Sequence, residues 1–112
     1  MMKRTLISAL ALVACFIGIQ AQTQVIAHRG FWKTEGSAQN SITALEKAAE
    51  AEVYGSEFDV LMTSDGTIVV NHDHAIEGMV IAETPYKKLK KLKIKKGEKL
   101  PTLKSYLKKG KK

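Results

Sequence analysis

Three short clusters in this chain combine residue types that could do acid–base or metal chemistry: His28-Arg29-Gly30, Glu57-x-Asp59 and His72-Asp73. Glu57 and Asp59 stand at i and i+2, so on a strand both carboxylates point to one face. Two like charges on an inward face are unfavourable unless a cation neutralises them. An all-oxygen pair suits a hard ion, Mg²⁺ or Ca²⁺, better than zinc. The same spacing fits an edge strand whose polar face simply meets water. The histidines tip the reading towards chemistry. An imidazole titrates near neutrality, so His28 and His72 on either side of a bound group could act in turn as base and acid. Arg29, beside His28, could grip phosphate oxygens through a guanidinium fork.

These clusters need elements to position them. Residues 24–28 read as a short buried strand, apolar on both faces at Val25, Ile26 and Ala27 as parallel strands are. Residues 29–39 have a loop's composition. Asn40 can cap a helix whose apolar residues Ile42, Leu45, Ala48 and Ala49 fall at helical spacing, and Thr43 with Glu46 offers a capping box one turn later. Gly55 suits the left-handed residue that ends it. Residues 56–63 alternate as one strand, with Glu57 and Asp59 on its polar face. Ser64-Asp65-Gly66 is a tight turn before a second β run, 67–71, so the two fit a hairpin or near-neighbour strands. Residues 73–83 give no decisive pattern. Thr84-Pro85 opens a short helix with Tyr86 and Leu89 facing in, and Thr102 caps a last helix carrying Leu103, Tyr106 and Leu107. Strand, helix, strand predicts a parallel α/β arrangement with a crossover helix, its polar clusters at the strand ends where ligands bind in such folds.

The charge is unevenly distributed. The chain has 112 residues and a formal net charge of +7. Its last 26 residues hold thirteen lysines and one acid, Glu98, so the remainder is net acidic. The lysines from 87 to 96 are interleaved with Tyr86, Leu89, Leu92 and Ile94, the pattern of a solvated face over a packed apolar side. With no arginine after Arg29 and no stacking aromatic pair, nucleic-acid binding is not expected. At the other end, Lys3 and Arg4 precede an apolar run from Leu6 to Ile19, which is signal-peptide length and short for a membrane span. Residues 1–21 are therefore expected to be a signal peptide, and the protein to be exported to the periplasm or beyond the cell. The alternative uses Leu12-Val13-Ala14-Cys15 as a lipoprotein signal, with a lipid anchor at Cys15 as the only membrane contact. With simple cleavage the sole cysteine leaves, and the mature domain has no disulfide.

The order of motifs resembles the glycerophosphodiester phosphodiesterase family. The residues that carry the likeness are His28-Arg29-Gly30, Gln39-Asn40-Ser41, Gly55-Ser56-Glu57-Phe58-Asp59-Val60, Thr63-Ser64-Asp65-Gly66, Val69-Val70-Asn71-His72-Asp73 and Leu100-Pro101-Thr102-Leu103. Each is weak alone; six in order at family-like spacing are not. The resemblance implies an α/β fold, the N-terminal part of a (β/α)₈ TIM barrel, truncated after about three strands. Residues 22–112 would be an incomplete domain of this type. It implies a metal-dependent hydrolase of glycerophosphodiesters with His28 and His72 as general acid and base. Arg29 would hold the phosphate of a small diester substrate, and Glu57 and Asp59 would bind the Mg²⁺ or Ca²⁺ ion.

Two departures stand out. Gln39 occupies a position where the family usually has glutamate. The family's third metal carboxylate lies on a strand after the Pro-Thr-Leu helix, and only residues 108–112 follow that helix here. The fragment alone is therefore expected to be inactive and poorly folded. Two other functions remain open on sequence: a secreted, non-catalytic binding module on a barrel scaffold, and a related phosphodiesterase acting on another lipid-derived diester.

Overall fold

The computed structural model describes residues 21–111. The expected signal segment, with Lys3, Arg4, the apolar run and Cys15, lies outside the described residues, apart from Ala21. Among the described residues no helix is long and apolar enough to cross a membrane.

The chain opens with a parallel crossover. Strand β1, Ile26–His28, leads through a loop to helix α1, Ile42–Glu50, and then to strand β2, Gly55–Glu57. β1 and β2 pair in parallel with Ile26 opposite Gly55, Ala27 opposite Ser56 and His28 opposite Glu57. The predicted unit is present, but three details differ. β1 is not buried: Val25 and Ile26 are 58% and 57% exposed, because among the described residues α1 packs against β2 and leaves these side chains open. The cap of α1 is Ser41, whose hydroxyl accepts from Ala44 N at 3.0 Å, while Asn40 sits buried at φ +59° with other work to do. The left-handed residue after α1 is Glu52, not Gly55, which already belongs to β2.

The run 56–63 is two strands rather than one. After β2 the backbone leaves the ladder at Phe58 and Asp59, and Val60–Met62 forms β3, antiparallel to β4, Ile68–Val70. The break has a local cause. Asp59 N donates to the Asn40 side chain at 3.1 Å, so it is not available to a neighbouring strand. The β3–β4 hairpin closes as expected around Thr63 to Thr67, with Gly66 at φ +83° and its N–H on Thr63 O at 3.1 Å. Asp65, at the turn, does more than turn. Its carboxylate accepts from the Thr63 hydroxyl and, at 3.1 Å, from Tyr86 N, the first free amide of helix α2, Tyr86–Leu89. Those bonds, the Thr63 hydroxyl foremost, hold the Asp65 carboxyl below the usual carboxylate range. Thr84 does not cap α2; its hydroxyl donates to Val80 O at 2.7 Å.

Residues 75–80, undecided from sequence, form a small hairpin, β5 Ala75–Ile76 and β6 Met79–Val80. Its turn residues Glu77 and Gly78 both have positive φ, which matches the right-handed twist of the strands. Helix α3, Leu103–Gly110, is capped by the Thr102 hydroxyl, which accepts from Ser105 N at 3.1 Å.

Two apolar clusters hold these pieces together. Val69, Ile76, Ile81, Leu89 and Leu100 are buried together, with Leu61, Tyr86, Leu92 and Ile94 packed against them. Between α1 and α3, Tyr106 lies 4.6 Å from the Phe58 ring, and its hydroxyl lies 3.3 Å from Ser56 Oγ. Burial pushes the Tyr106 phenol up. A Lys109–Glu46 ion pair at 2.8 Å joins the two helices at the surface, where Leu107 is exposed.

Candidate active site

The site is built at the carboxyl ends of β1 and β2, and its centre is Arg29. The residue leaves β1 at φ +58°, followed by Gly30 at φ +81°. Gly30 is required here by contact as well as conformation. A Cβ on it would lie 2.6 Å from Ala44 Cβ and 2.9 Å from the Ala44 carbonyl carbon of α1. Phe31 N also bonds Ala44 O at 2.9 Å and Asn40 N bonds Arg29 O at 2.9 Å, so the loop is clamped to the start of the helix.

This kink aims the Arg29 side chain, 20% exposed, back across the strand ends. Its Nη1 donates to Gln39 Oε1 at 2.9 Å, and its Nε lies 3.4 Å from Asp59 Oδ2. That ion pair is poorly aligned, which leaves the buried Nε without a hydrogen-bond partner. The Arg29 main-chain N donates to Glu57 Oε2 at 3.1 Å. Glu57 is the register partner of His28, whose Nε2 lies 3.8 Å from the same oxygen. Thus His28, Arg29, Glu57 and Asp59 are brought together, although Glu57 and Asp59 no longer share one strand.

Asp59 is fixed from both sides. Asn40 donates Nδ2 to Asp59 Oδ2 at 3.0 Å while accepting from Asp59 N, a two-point bridge. Asn71 N donates to Asp59 O at 3.0 Å, which ties the end of β4 to this corner. His72 and Asp73 follow at once. His72 Nδ1 lies 2.9 Å from Asp73 Oδ1, and Asn71 Nδ2 donates to Asp73 O at 2.7 Å. The hydrogen bond from His72 chiefly, and the Lys95 and Arg29 cations with it, hold the Asp73 carboxyl below the usual carboxylate range. His72 thus comes from the end of an antiparallel hairpin strand, not from a third parallel strand.

Sequence reasoning missed three contributors. Asn40 was read as a cap and is the brace of Asp59. Gln39 was read as a departure and is the acceptor that orients Arg29. Glu98, the lone acid of the lysine-rich stretch, accepts from Ala38 N at 2.8 Å and so anchors the loop before α1. The position of Glu98 among lysines was the only visible signal for the last of these.

The donor set can be tested for a divalent ion. Glu57 and Asp59 commit only Oε2 and Oδ2 to hydrogen bonds, leaving Oε1 and Oδ1 as hard oxygen donors on half-exposed side chains. Among the described residues no group of three or more His, Cys, Asp or Glu is arranged to hold a metal. Glu57 and Asp59 thus offer donors for part of an ion's shell, and the described residues supply no third carboxylate or imidazole to complete it.

A parallel crossover with its polar groups at the carboxyl ends of the strands is the unit from which parallel α/β folds, (β/α)₈ barrels among them, are built. Residues 28–112 match the glycerophosphoryl diester phosphodiesterase family, and the chain belongs to that family. It is 35% identical to a glycerophosphodiester phosphodiesterase of Caldanaerobacter subterraneus, over 73% of this chain and 38% of that relative. Its fold superposes on a glycerophosphodiester phosphodiesterase from Parabacteroides distasonis with a TM-score of 0.79 and 57% identity, over 83% of this chain and 39% of that one. It also superposes on an Oleispira antarctica phosphodiesterase in complex with the product sn-glycerol 3-phosphate, with a TM-score of 0.69 and 31% identity, over 80% and 40% of the two chains. The chain thus spans about two fifths of the length of these relatives.

Proposed function

We propose that the protein carrying this segment hydrolyses glycerophosphodiesters to sn-glycerol 3-phosphate and a free alcohol. The observation that carries the reading is the convergence of His28, Glu57 and Asp59 on Arg29 at paired strand ends. Family membership supports the reaction class, and the product bound to the Oleispira relative supports the product.

In this reading Arg29 takes the phosphate. Gln39 holds one arm of the guanidinium in place and, being neutral, leaves its charge for the substrate. His72 gives its Nδ1 proton to the bond with Asp73, which leaves the Nε2 lone pair to take the proton of the attacking water or substrate hydroxyl. His28 protonates the oxygen of the departing alcohol. The P–O bond to that alcohol breaks as the new one forms. Attack by water gives sn-glycerol 3-phosphate at once, and a proton then passes from His72 to His28 through solvent. Attack by a neighbouring hydroxyl instead gives a cyclic phosphate, which water opens with His28 as base and His72 as acid. Glu57 and Asp59 would hold Mg²⁺ or Ca²⁺ through their uncommitted oxygens. The bound ion supplies charge neutralisation at the phosphoryl oxygens. The protein would act outside the cytoplasm, a reading that rests on the signal pattern of residues 1–21.

The test is turnover of glycerophosphocholine by the purified protein, followed by release of sn-glycerol 3-phosphate. Activity should vanish on chelation and return with Mg²⁺ or Ca²⁺. Turnover that persists unchanged in a metal-free, chelator-treated sample would remove the metal from the account, and no turnover of any glycerophosphodiester would remove the reaction.

A further inference from the structure

Glu98 is the single acid among the thirteen lysines of residues 87–112, and its carboxylate reaches back sixty residues to the loop that serves the site. We infer that Glu98 is a positioning residue for Arg29, acting through the Ala38 backbone on the Gln39 side chain. The inference rests on the hydrolase reading and deepens it, by naming what sets the phosphate grip of that same site.

The carboxylate comes from a stiff base. Lys93 and Lys99 form an antiparallel bridge, and Ile94 N donates to Glu98 O at 2.9 Å. Ile94 packs on the hairpin cluster and Leu100 is buried in it, so both arms of this turn are anchored in the core. At its tip Lys96 and Gly97 have φ of +62° and +71°, and Lys96 Nζ donates to Thr34 O at 3.1 Å, which ties the turn to the same loop.

What the carboxylate holds is a buried amide. Ala38 is 3% exposed, and Glu98 Oε2 accepts from its N–H at 2.8 Å. A buried N–H left without an acceptor is costly, so loss of Glu98 would move the segment until water or another acceptor met it. The Ala38 carbonyl is held separately, by the Ser41 hydroxyl at 2.6 Å. The next two residues differ in how they are secured. Asn40 keeps three bonds of its own, from its N–H to Arg29 O and from both polar atoms of its side chain to Asp59. Gln39 accepts from Arg29 Nη1 and makes no other hydrogen bond among the described residues. Its place therefore follows that of Ala38, and the direction of the guanidinium follows with it. A displacement at Ala38 thus reaches the phosphate grip through Gln39 and leaves the brace on Asp59 standing.

The experiment is a double-mutant cycle in the protein that carries this segment, read as kcat/KM for glycerophosphocholine. Glu98→Ala should lower it roughly tenfold, the lower end of what a residue that orients a site group is worth, and chiefly through KM. The midpoint of the divalent-ion titration should stay in place, because Asn40 still braces Asp59; a general loosening of the loop would move both. Glu98→Gln, which keeps an oxygen at the same reach, should restore most of the loss. With Gln39→Ala already in place, Glu98→Ala should cost less than about twofold. If Glu98→Ala fails to fold, Glu98→Asp, which keeps the charge and withdraws the acceptor, takes its place in the cycle. Equal losses with and without Gln39, or an ion midpoint that shifts along with KM, overturn the inference. If the wild type turns over no glycerophosphodiester, the hydrolase reading fails, and the positioning is read separately by calorimetry with inorganic phosphate. Its affinity should fall in Glu98→Ala and recover in Glu98→Gln. No binding by the wild type, or an affinity unchanged in Glu98→Ala, overturns the inference there.

Discussion

The β1–β2 pair and the β3–β4 hairpin are both two-stranded, yet they are held by different physics. Val69 of the hairpin and Leu89 of α2 are fully buried in one cluster, and neighbouring apolar side chains close around them. In the parallel pair Val25 and Ile26 lie open, and what fixes the strand ends is polar: the Arg29 N–Glu57 bond, the Asn40–Asp59 bridge and the clamp of Phe31 and Gly30 on Ala44. The segment therefore stabilises itself on one side and arranges its chemistry on the other. Parallel strands are ordinarily covered on both faces, and the relatives matched are about twice as long as this chain.

The comparison breaks most visibly at the histidines. In the protein carrying this segment, His28→Ala and His72→Ala should each lower kcat by about 10²- to 10⁴-fold, the usual worth of a positioned acid or base. The melting temperature of the His28 variant should stay at the wild-type value, since that ring is solvent-facing, and that of the His72 variant should fall only slightly, through the lost bond to Asp73. A histidine variant that loses stability in step with activity would make that residue structural.

A second test contrasts the two regions directly in the 112-residue chain. Leu89→Ala should cost about 2–5 kcal/mol and strip amide-exchange protection from Val69 and Val70. Ile26→Ala should change stability by no more than about 0.5 kcal/mol, because its side chain already faces water. Equal costs would mean that β1 is covered after all.

Much of this was legible in the residues. The crossover order, the hairpin at Ser64-Asp65-Gly66 and the grouping of His28, Arg29, Glu57 and Asp59 follow from periodicity, turn chemistry and motif spacing. What was not legible depends on partners distant in sequence. Asn40 resembles a cap because capping uses the same side chain; only the approach of Asp59, nineteen residues on, diverts it. The interruption at Phe58-Asp59 is the same event seen from the strand, since alternation continues in sequence while the backbone bond goes elsewhere. Gln39 and Glu98 act through one acceptor atom each, and no local pattern announces that.

Asn40→Ala sharpens the comparison on the polar side. It removes both ends of the bridge to Asp59 from a fully buried position, at a cost of about 1–3 kcal/mol. It should also weaken the apparent affinity for the divalent ion, read by metal titration of turnover. Stability loss without any change in metal dependence would reduce Asn40 to a packing residue.

The smallest effect concerns Asp73. Its carboxyl lies lower in the folded protein, so what it adds to stability is complete above its unfolded value and is lost as pH falls through its folded one. His72→Ala removes the main cause, and carbon-detected NMR should then show the Asp73 carboxyl titrating at higher pH. No change would separate the two side chains.

The most direct test asks whether one phosphate meets all three basic groups. Titrating sn-glycerol 3-phosphate into the protein that carries this segment, while following the ring signals of His28 and His72 and the Arg29 Nε–H by NMR, gives the answer. The account predicts that all three shift together with a single dissociation constant. Shifts confined to one histidine, or two unrelated binding curves, would contradict it.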